Sequence, residues 1–197
     1  GACGNGVRCV ADYIMSKENI ETVYIETISG KLKCFYSERG ITVNMGLPKF
    51  KWQDIPLSHK QDVLKVKLDE FTACCISMGN PHAVLIVDDT ASASVKLMGE
   101  VLSKSSMFPK EANVGFMQII NPSEINLRVY ERGCGETLAC GSGACAAVVA
   151  GQLQGLLETT VRVNLTGGSL FIEWAGNSHP VMMTGKAVTV FHGQIYI

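Results

Sequence analysis

The 197 residues are 47% hydrophobic and 18% charged, enough apolar side chains for a substantial core in an ordinary globular protein of one large or two small domains. A formal net charge of −1 with no long Lys/Arg run argues against nucleic acid or an acidic membrane surface as partner and leaves a small molecule as the expected one. No stretch approaches the roughly 18 uninterrupted apolar residues of a membrane span, and no secretory pattern opens the chain, so the expected location is cytoplasmic.

In chain order, Val7, Val10, Ala11 and Ile14 recur at helical spacing and predict a helix from about Val7 to Ser16, started by a Gly-Asn-Gly turn. Two strands follow, Val23 to Ile28 and Leu32 to Tyr36, joined as a hairpin through Ser29-Gly30-Lys31, and a third covers Ile41 to Met45. After a Pro-containing stretch from Leu47 to Pro56, strands are predicted at Val63 to Leu68, Phe71 to Ser77 and Ala83 to Val87. A helix from Ala93 to Leu102, extended segments at Gly115 to Ile120 and Ile125 to Tyr130, and a small-residue-rich helix from Ala144 to Leu157 come next. Strands resume at Thr160 to Asn164, Ser169 to Trp174 and Val181 to Met183, and the chain is expected to end in Ala187 to Phe191 and Gln194 to Ile197. The class is strand-rich α+β.

Eight cysteines stand at 3, 9, 34, 74, 75, 134, 140 and 145, without a Cys-x-x-Cys pair or a His at zinc-finger spacing. A structural zinc is not expected. A chain this large and apolar needs no disulfide staples, so reduced thiols are the better reading. The start at Gly1-Ala2-Cys3, without Met, reads as a truncation, a processed fragment or a cloning scar.

One internal echo carries chemistry. Cys3-Gly4-Asn5-Gly6 and Cys140-Gly141-Ser142-Gly143 each lead into a helix bearing another Cys, which suggests a duplicated fold. A thiol just before a helix lies near unpaired N–H groups and the positive end of the macrodipole, which favours the thiolate and makes it a base. The glycines let the following N–H groups approach a carboxylate. Two such turns face to face would set a thiolate on one side of an α-carbon and a thiol on the other, the arrangement for stereoinversion by proton removal and opposite-face return. A single Cys-Gly turn is more often plain core; the repetition is what points to catalysis.

Three further segments place polar residues at predicted strand ends: Ser77-Met78-Gly79-Asn80-Pro81-His82, Glu111-Ala112-Asn113-Val114-Gly115-Phe116-Met117 and Tyr130-Glu131-Arg132-Gly133. An isolated His is ordinarily a satisfied turn or core residue, and a Glu-Arg pair is ordinarily a solvated face. Glu131, however, stands nine residues before Cys140 across a Gly-rich bend, where it can hold the thiol or exchange a proton with it.

Taken together, Cys3 to Cys9, Ser77 to His82, Asn113 to Met117 and the run from Tyr130 to Cys145 resemble the diaminopimelate epimerase family, in order across essentially the whole chain, with Gly167-Gly168-Ser169-Leu170, Glu173-Trp174 and Met183-Thr184-Gly185 continuing the likeness. The resemblance implies interconversion of LL- and meso-diaminopimelate without pyridoxal phosphate, metal or other cofactor, on the way to lysine and a peptidoglycan precursor. It implies Cys3 and Cys140 as catalytic thiols, and His82 and Glu131 as the groups that tune them. Gly4, Asn5, Gly141 and Ser142 then match the carboxylate-holding turns, and Asn80, Asn113, Glu131 and Arg132 the further substrate contacts. The implied fold is two pseudo-symmetric halves, each a strand-rich barrel around a central helix with the site between them: residues 1–45 the remainder of an N-terminal half, 46–185 the C-terminal half, and 186–197 strands returning to the first. The implied partners are the small-molecule substrate and a second copy of the chain.

The sequence departs from the family in three places. No segment with early Asn and Gln substrate contacts precedes Cys3, so the N-terminal half is expected to be incomplete and the chain alone impaired. Phe191 stands where relatives commonly have a Tyr linked to dimerisation, making it the dimerisation candidate, and Cys134 stands where a smaller residue is common. Two rival readings remain: a proline or hydroxyproline-type epimerase of the same superfamily, disfavoured by Asn5 and by Glu131-Arg132, and a non-catalytic fragment serving as an interaction surface.

Overall fold

A computed structural model of the chain describes residues 4–28, 30–191 and 193–195. Its elements are α1 (Gly4–Glu18), β1 (Thr22–Thr27), β2 (Gly30–Ser37), β3 (Gly40–Asn44), β4 (Val66–Leu68), β5 (Phe71–Ser77), β6 (Pro81–Ile86), α2 (Val95–Ser103), β7 (Asn113–Asn121), β8 (Glu124–Glu131), β9 (Gly135–Thr137), α3 (Gly141–Leu153), β10 (Thr160–Leu165), β11 (Gly168–Glu173) and β12 (Met182–Gly185). The architecture is mixed α+β, with one large sheet and, among the described residues, three helices.

The sheet runs β1-β2-β3-β12-β11-β10-β8-β7-β6-β5-β4, with β9 paired to β8 off this path. Its two parallel pairs are β6/β7 and β8/β10. Parallel neighbours need a long crossover, and helices supply both: α2 connects β6 to β7, and α3 lies between β8 and β10 in the chain. The two helices take opposite faces. On β5 to β7, Cys74, Ile76, Val84 and Met117 point into the core around α3, while Ala73, Cys75, Ala83, Leu85, Val114 and Phe116 point into a second core with α2. Strands buried on both sides read as continuous apolar runs, which is what β5 and β6 show. On β8 the pattern alternates instead, Ile125, Leu127 and Val129 facing the α3 core.

α3 touches β5, β6, β7, β8, β11 and β12 as well as α1, so the sheet curls round it. Every residue from Gly141 to Gly151 is buried, and such enclosure is compatible only with the Gly, Ser, Ala, Cys and Val that fill it. The seven cysteines among the described residues are free thiols.

Several local expectations differ from the structure, among them the strand from Val63, which begins only at Val66. α3 begins at Gly141 rather than Ala144 and ends at Leu153 rather than Leu157, because a first turn of Gly and Ser carries no helical periodicity to read. β9, three residues long, was not expected. Ala187 to Phe191 lies outside any strand despite its alternating pattern: Val188 and Val190 are 74% and 89% exposed, and no strand among the described residues buries them. Of the expected last strand, Gln194 and Ile195 are likewise outside any strand, and residues 196–197 lie outside the described residues.

Candidate active site

The candidate site side chains collect where three neighbouring strands end together. Because β6 and β7 run parallel and β8 runs against β7, the first residues of β6 and β7 share an edge with the last residues of β8. His82 is the register partner of Asn113, and Glu131 closes β8 beside them. The chain then turns through β9 and enters α3 at Cys140, the N-cap, in extended conformation (φ −121°, ψ 107°).

The Cys140 thiol is buried and donates to Glu131 Oε2 at 3.0 Å. The other carboxylate oxygen accepts from Thr137 Oγ1 at 2.5 Å, so β9 clamps the carboxylate against the sulfur. Ser142 Oγ stands 3.7 Å from the same sulfur and 3.1 Å from His82 Nε2, and it accepts from Asn80 Nδ2 at 3.2 Å. His82 Nε2 is also 3.1 Å from Asn80 Oδ1. A continuous polar chain therefore runs from His82 through Ser142, Cys140 and Glu131 to Thr137. Asn113 locks the strand ends beside it, donating to the Pro81 carbonyl at 2.9 Å and accepting from the Arg132 backbone N–H at 3.0 Å.

These surroundings set the protonation states. Burial, then the hydrogen bond the thiol donates to Glu131 and the negative charge of that carboxylate, push the Cys140 thiol up to about 12; the Gly143 N–H and Ser142 act in the opposite direction and do not offset them. The expectation that a thiol at a helix start favours the thiolate is thus reversed at Cys140, because a helix terminus contributes less than burial beside a carboxylate. Burial, with a smaller contribution from Arg132, pushes His82 down to about 3, so its ring is neutral.

The starts of α1 and α3 meet. Gly4 at the start of α1 and Gly141 at the start of α3 both press on Met183: a Cβ at either position would stand 2.7 Å from its methyl carbon or 2.9 Å from its sulfur. Asn5 spans the junction, donating from Nδ2 to the Ala139 carbonyl at 3.2 Å. A cavity of about 330 Å³ lies between the turns, within the range of small-molecule sites. Gly4 and Asn5 line it from the first turn, Cys140, Gly141 and Ser142 from the second, and Asn80, Asn113, Glu131 and Arg132 from the strand ends. His82 is absent from the lining and reaches it only through its contacts with Ser142 and Asn80, which line it. Phe191 is 82% exposed and does not line this cavity. Cys3 lies outside the described residues.

Three contributors were not singled out from sequence as part of the site. Thr137 orients the carboxylate, the Ala139 carbonyl holds Asn5, and Cys134 lines the cavity on the turn after Glu131. Thr137 had a signal, a hydroxyl three residues before the thiol, but only the β8–β9 pairing shows where it points. Among the described residues no group of three or more His, Cys, Asp and Glu side chains is placed to hold a metal ion.

The diaminopimelate epimerase family profile matches residues 74–190. A diaminopimelate epimerase from Teredinibacter turnerae is 48% identical over 200 aligned residues, covering 98% of this chain and 72% of the relative. Among solved structures, a probable proline racemase from Agrobacterium radiobacter is similar over 100% of this chain and 68% of its own, with a TM-score of 0.68 at 15% identity. A phenazine biosynthesis protein of the PhzF family from Bacillus anthracis is similar over 100% and 76%, with a TM-score of 0.66 at 15% identity. At that identity the likeness is one of fold. The family profile and the close relative together establish more than fold: the chain belongs to the diaminopimelate epimerase family of isomerases.

Proposed function

We propose that the protein epimerises LL-diaminopimelate to meso-diaminopimelate without a cofactor, with Cys3 and Cys140 as paired base and acid, in the formation of lysine and a peptidoglycan precursor. The observation that carries this reading is the meeting of the α1 and α3 starts, at Gly4 and Gly141, over one polar cavity lined by Cys140, whose thiol donates to Glu131. A substrate α-carboxylate set against the Gly141 and Ser142 N–H groups is neutralised by the start of α3, which eases removal of the α-proton. In the form that begins with Cys140 protonated, the Cys3 thiolate takes that proton and Cys140 delivers its own to the opposite face. The Cys140 thiolate so formed faces a carboxylate, which makes it a strong base for the reverse direction.

The polar lining also favours diaminopimelate over proline. A second amino-acid centre needs partners for both an ammonium and a carboxylate, and the amides of Asn80 and Asn113 with the Arg132 guanidinium supply both kinds. The test measures stereoisomer conversion by chiral chromatography beside the Teredinibacter turnerae enzyme as control. Conversion of LL-diaminopimelate with none of L-proline or 4-hydroxyproline is expected. Preferential conversion of proline would move the function to the proline-type epimerases.

A further inference from the structure

A second cavity, of about 600 Å³, lies beside the one proposed as catalytic. It opens on the other side of Asn5 and Ala139, which line both cavities. Its charged lining is of one sign: Arg8 from α1, Arg39 from the β2–β3 turn, Arg162 from β10 and Lys186 just after β12, with no Asp or Glu among the lining residues. In a chain whose net charge is −1, such segregation of four cations around one concavity focuses a positive potential there.

The guanidinium groups are held in place. Arg39 lies 4.4 Å over the Phe171 ring, Arg162 donates to Ser169 Oγ at 3.4 Å, and Arg8 donates to Asn5 Oδ1 at 3.2 Å. Gly185 makes the room: a Cβ there would stand 2.5 Å from Arg8 Nη1. The Gly167-Gly168-Ser169-Leu170 turn, prominent in the sequence and unused by the catalytic cavity, forms another wall.

We infer that this cavity is a second binding site, for a small polyanion carrying at least two carboxylate or phosphate groups. Planar guanidinium groups accept such oxygens in pairs, several fixed cations reward several anionic groups on one ligand, and about 600 Å³ accommodates a ligand of that size. Because Arg8 is bonded to Asn5 and Asn5 lines the catalytic cavity, the site lies one residue from the epimerase machinery while being distinct from it.

Isothermal titration of the full chain with pyrophosphate, and separately with citrate, tests the site and tells a phosphate ligand from a carboxylate one. Chloride at matched ionic strength controls for screening. Binding of at least one of the two polyanions is expected, weakened about tenfold or more in Arg39→Gln/Arg162→Gln and in Lys186→Gln/Arg162→Gln, all three residues being exposed and outside the catalytic cavity. No binding of either probe, or equal binding by the wild type and both double variants, overturns the assignment. The titration needs no substrate, so its outcome is independent of whether the protein epimerises diaminopimelate.

Discussion

α1 and α3 begin with the same Cys-Gly-x-Gly pattern and are then treated differently by the fold. α1 buries Gly4, Val7, Arg8, Ala11 and Met15, one face at helical spacing, against β1 to β3 and α3. α3 is enclosed on all sides, with every residue from Gly141 to Gly151 buried. The difference is written in the residues that follow each turn: an amphipathic stripe with Tyr13 and Lys17 outside it for α1, and an unbroken run of small side chains for α3. The same turn can thus be presented by a helix that leans on a sheet or by one that threads it. The thiol on the threaded helix is the one whose surroundings are fixed from every direction.

The largest effect should come from the charge beside that fixed thiol. Glu131→Gln keeps the shape but removes the negative partner, and turnover should fall by roughly 10²-fold or more. Since Glu131 contributes to the raised Cys140 pKa, alkylation of Cys140 as a function of pH should shift to lower pH in the variant. An unmoved alkylation profile would separate Glu131 from the thiol.

Packing should show the next effect. Ala147→Leu inside the enclosed α3 has nowhere to place its side chain and should destabilise the fold by about 1–3 kcal/mol, read as a lowered urea midpoint. Retention of wild-type stability would mean that α3 is less tightly enclosed than the structure has it.

The buried His82 gives a pH-dependent contribution with a definite sign. Its folded pKa is pushed from 6.5 down to about 3, so the neutral ring contributes stability above pH 6.5 that is lost as pH falls from 6.5 through about 3. His82→Gln should flatten that part of the acid dependence of unfolding. A variant with an unchanged acid limb would place the titration elsewhere. The smallest effect belongs to the open side of α1, where Val10→Ala should change stability by no more than about 0.5 kcal/mol.

Much of this was legible in the sequence where one physical signal dominated. β5 falls at Phe71–Ser77 as its apolar run predicts, and Glu131, Cys140 and Ser142 of the run from Tyr130 to Cys145 come together in the structure. Legibility failed where the outcome depended on partners distant in sequence. Val188 and Val190 alternate like a strand but, among the described residues, meet no strand to pair with. Only the pairing of β9 with β8 aims Thr137 at Glu131. The protonation of Cys140 inverted because a helix start is a local feature, whereas burial beside Glu131 is a product of tertiary structure. His82 and Asn113 are 31 positions apart in the chain, yet the register of β6 and β7 sets them side by side.

The most direct test of the central claim is solvent-deuterium incorporation at the inverted α-carbon of LL-diaminopimelate, followed by mass spectrometry in the wild type and in Cys140→Ala. Two-thiol chemistry requires that every molecule of meso product formed by the wild type in deuterium oxide under initial-rate conditions carry deuterium, and that Cys140→Ala form essentially none. Product that keeps its original α-proton, or near-wild-type inversion by Cys140→Ala, would contradict it.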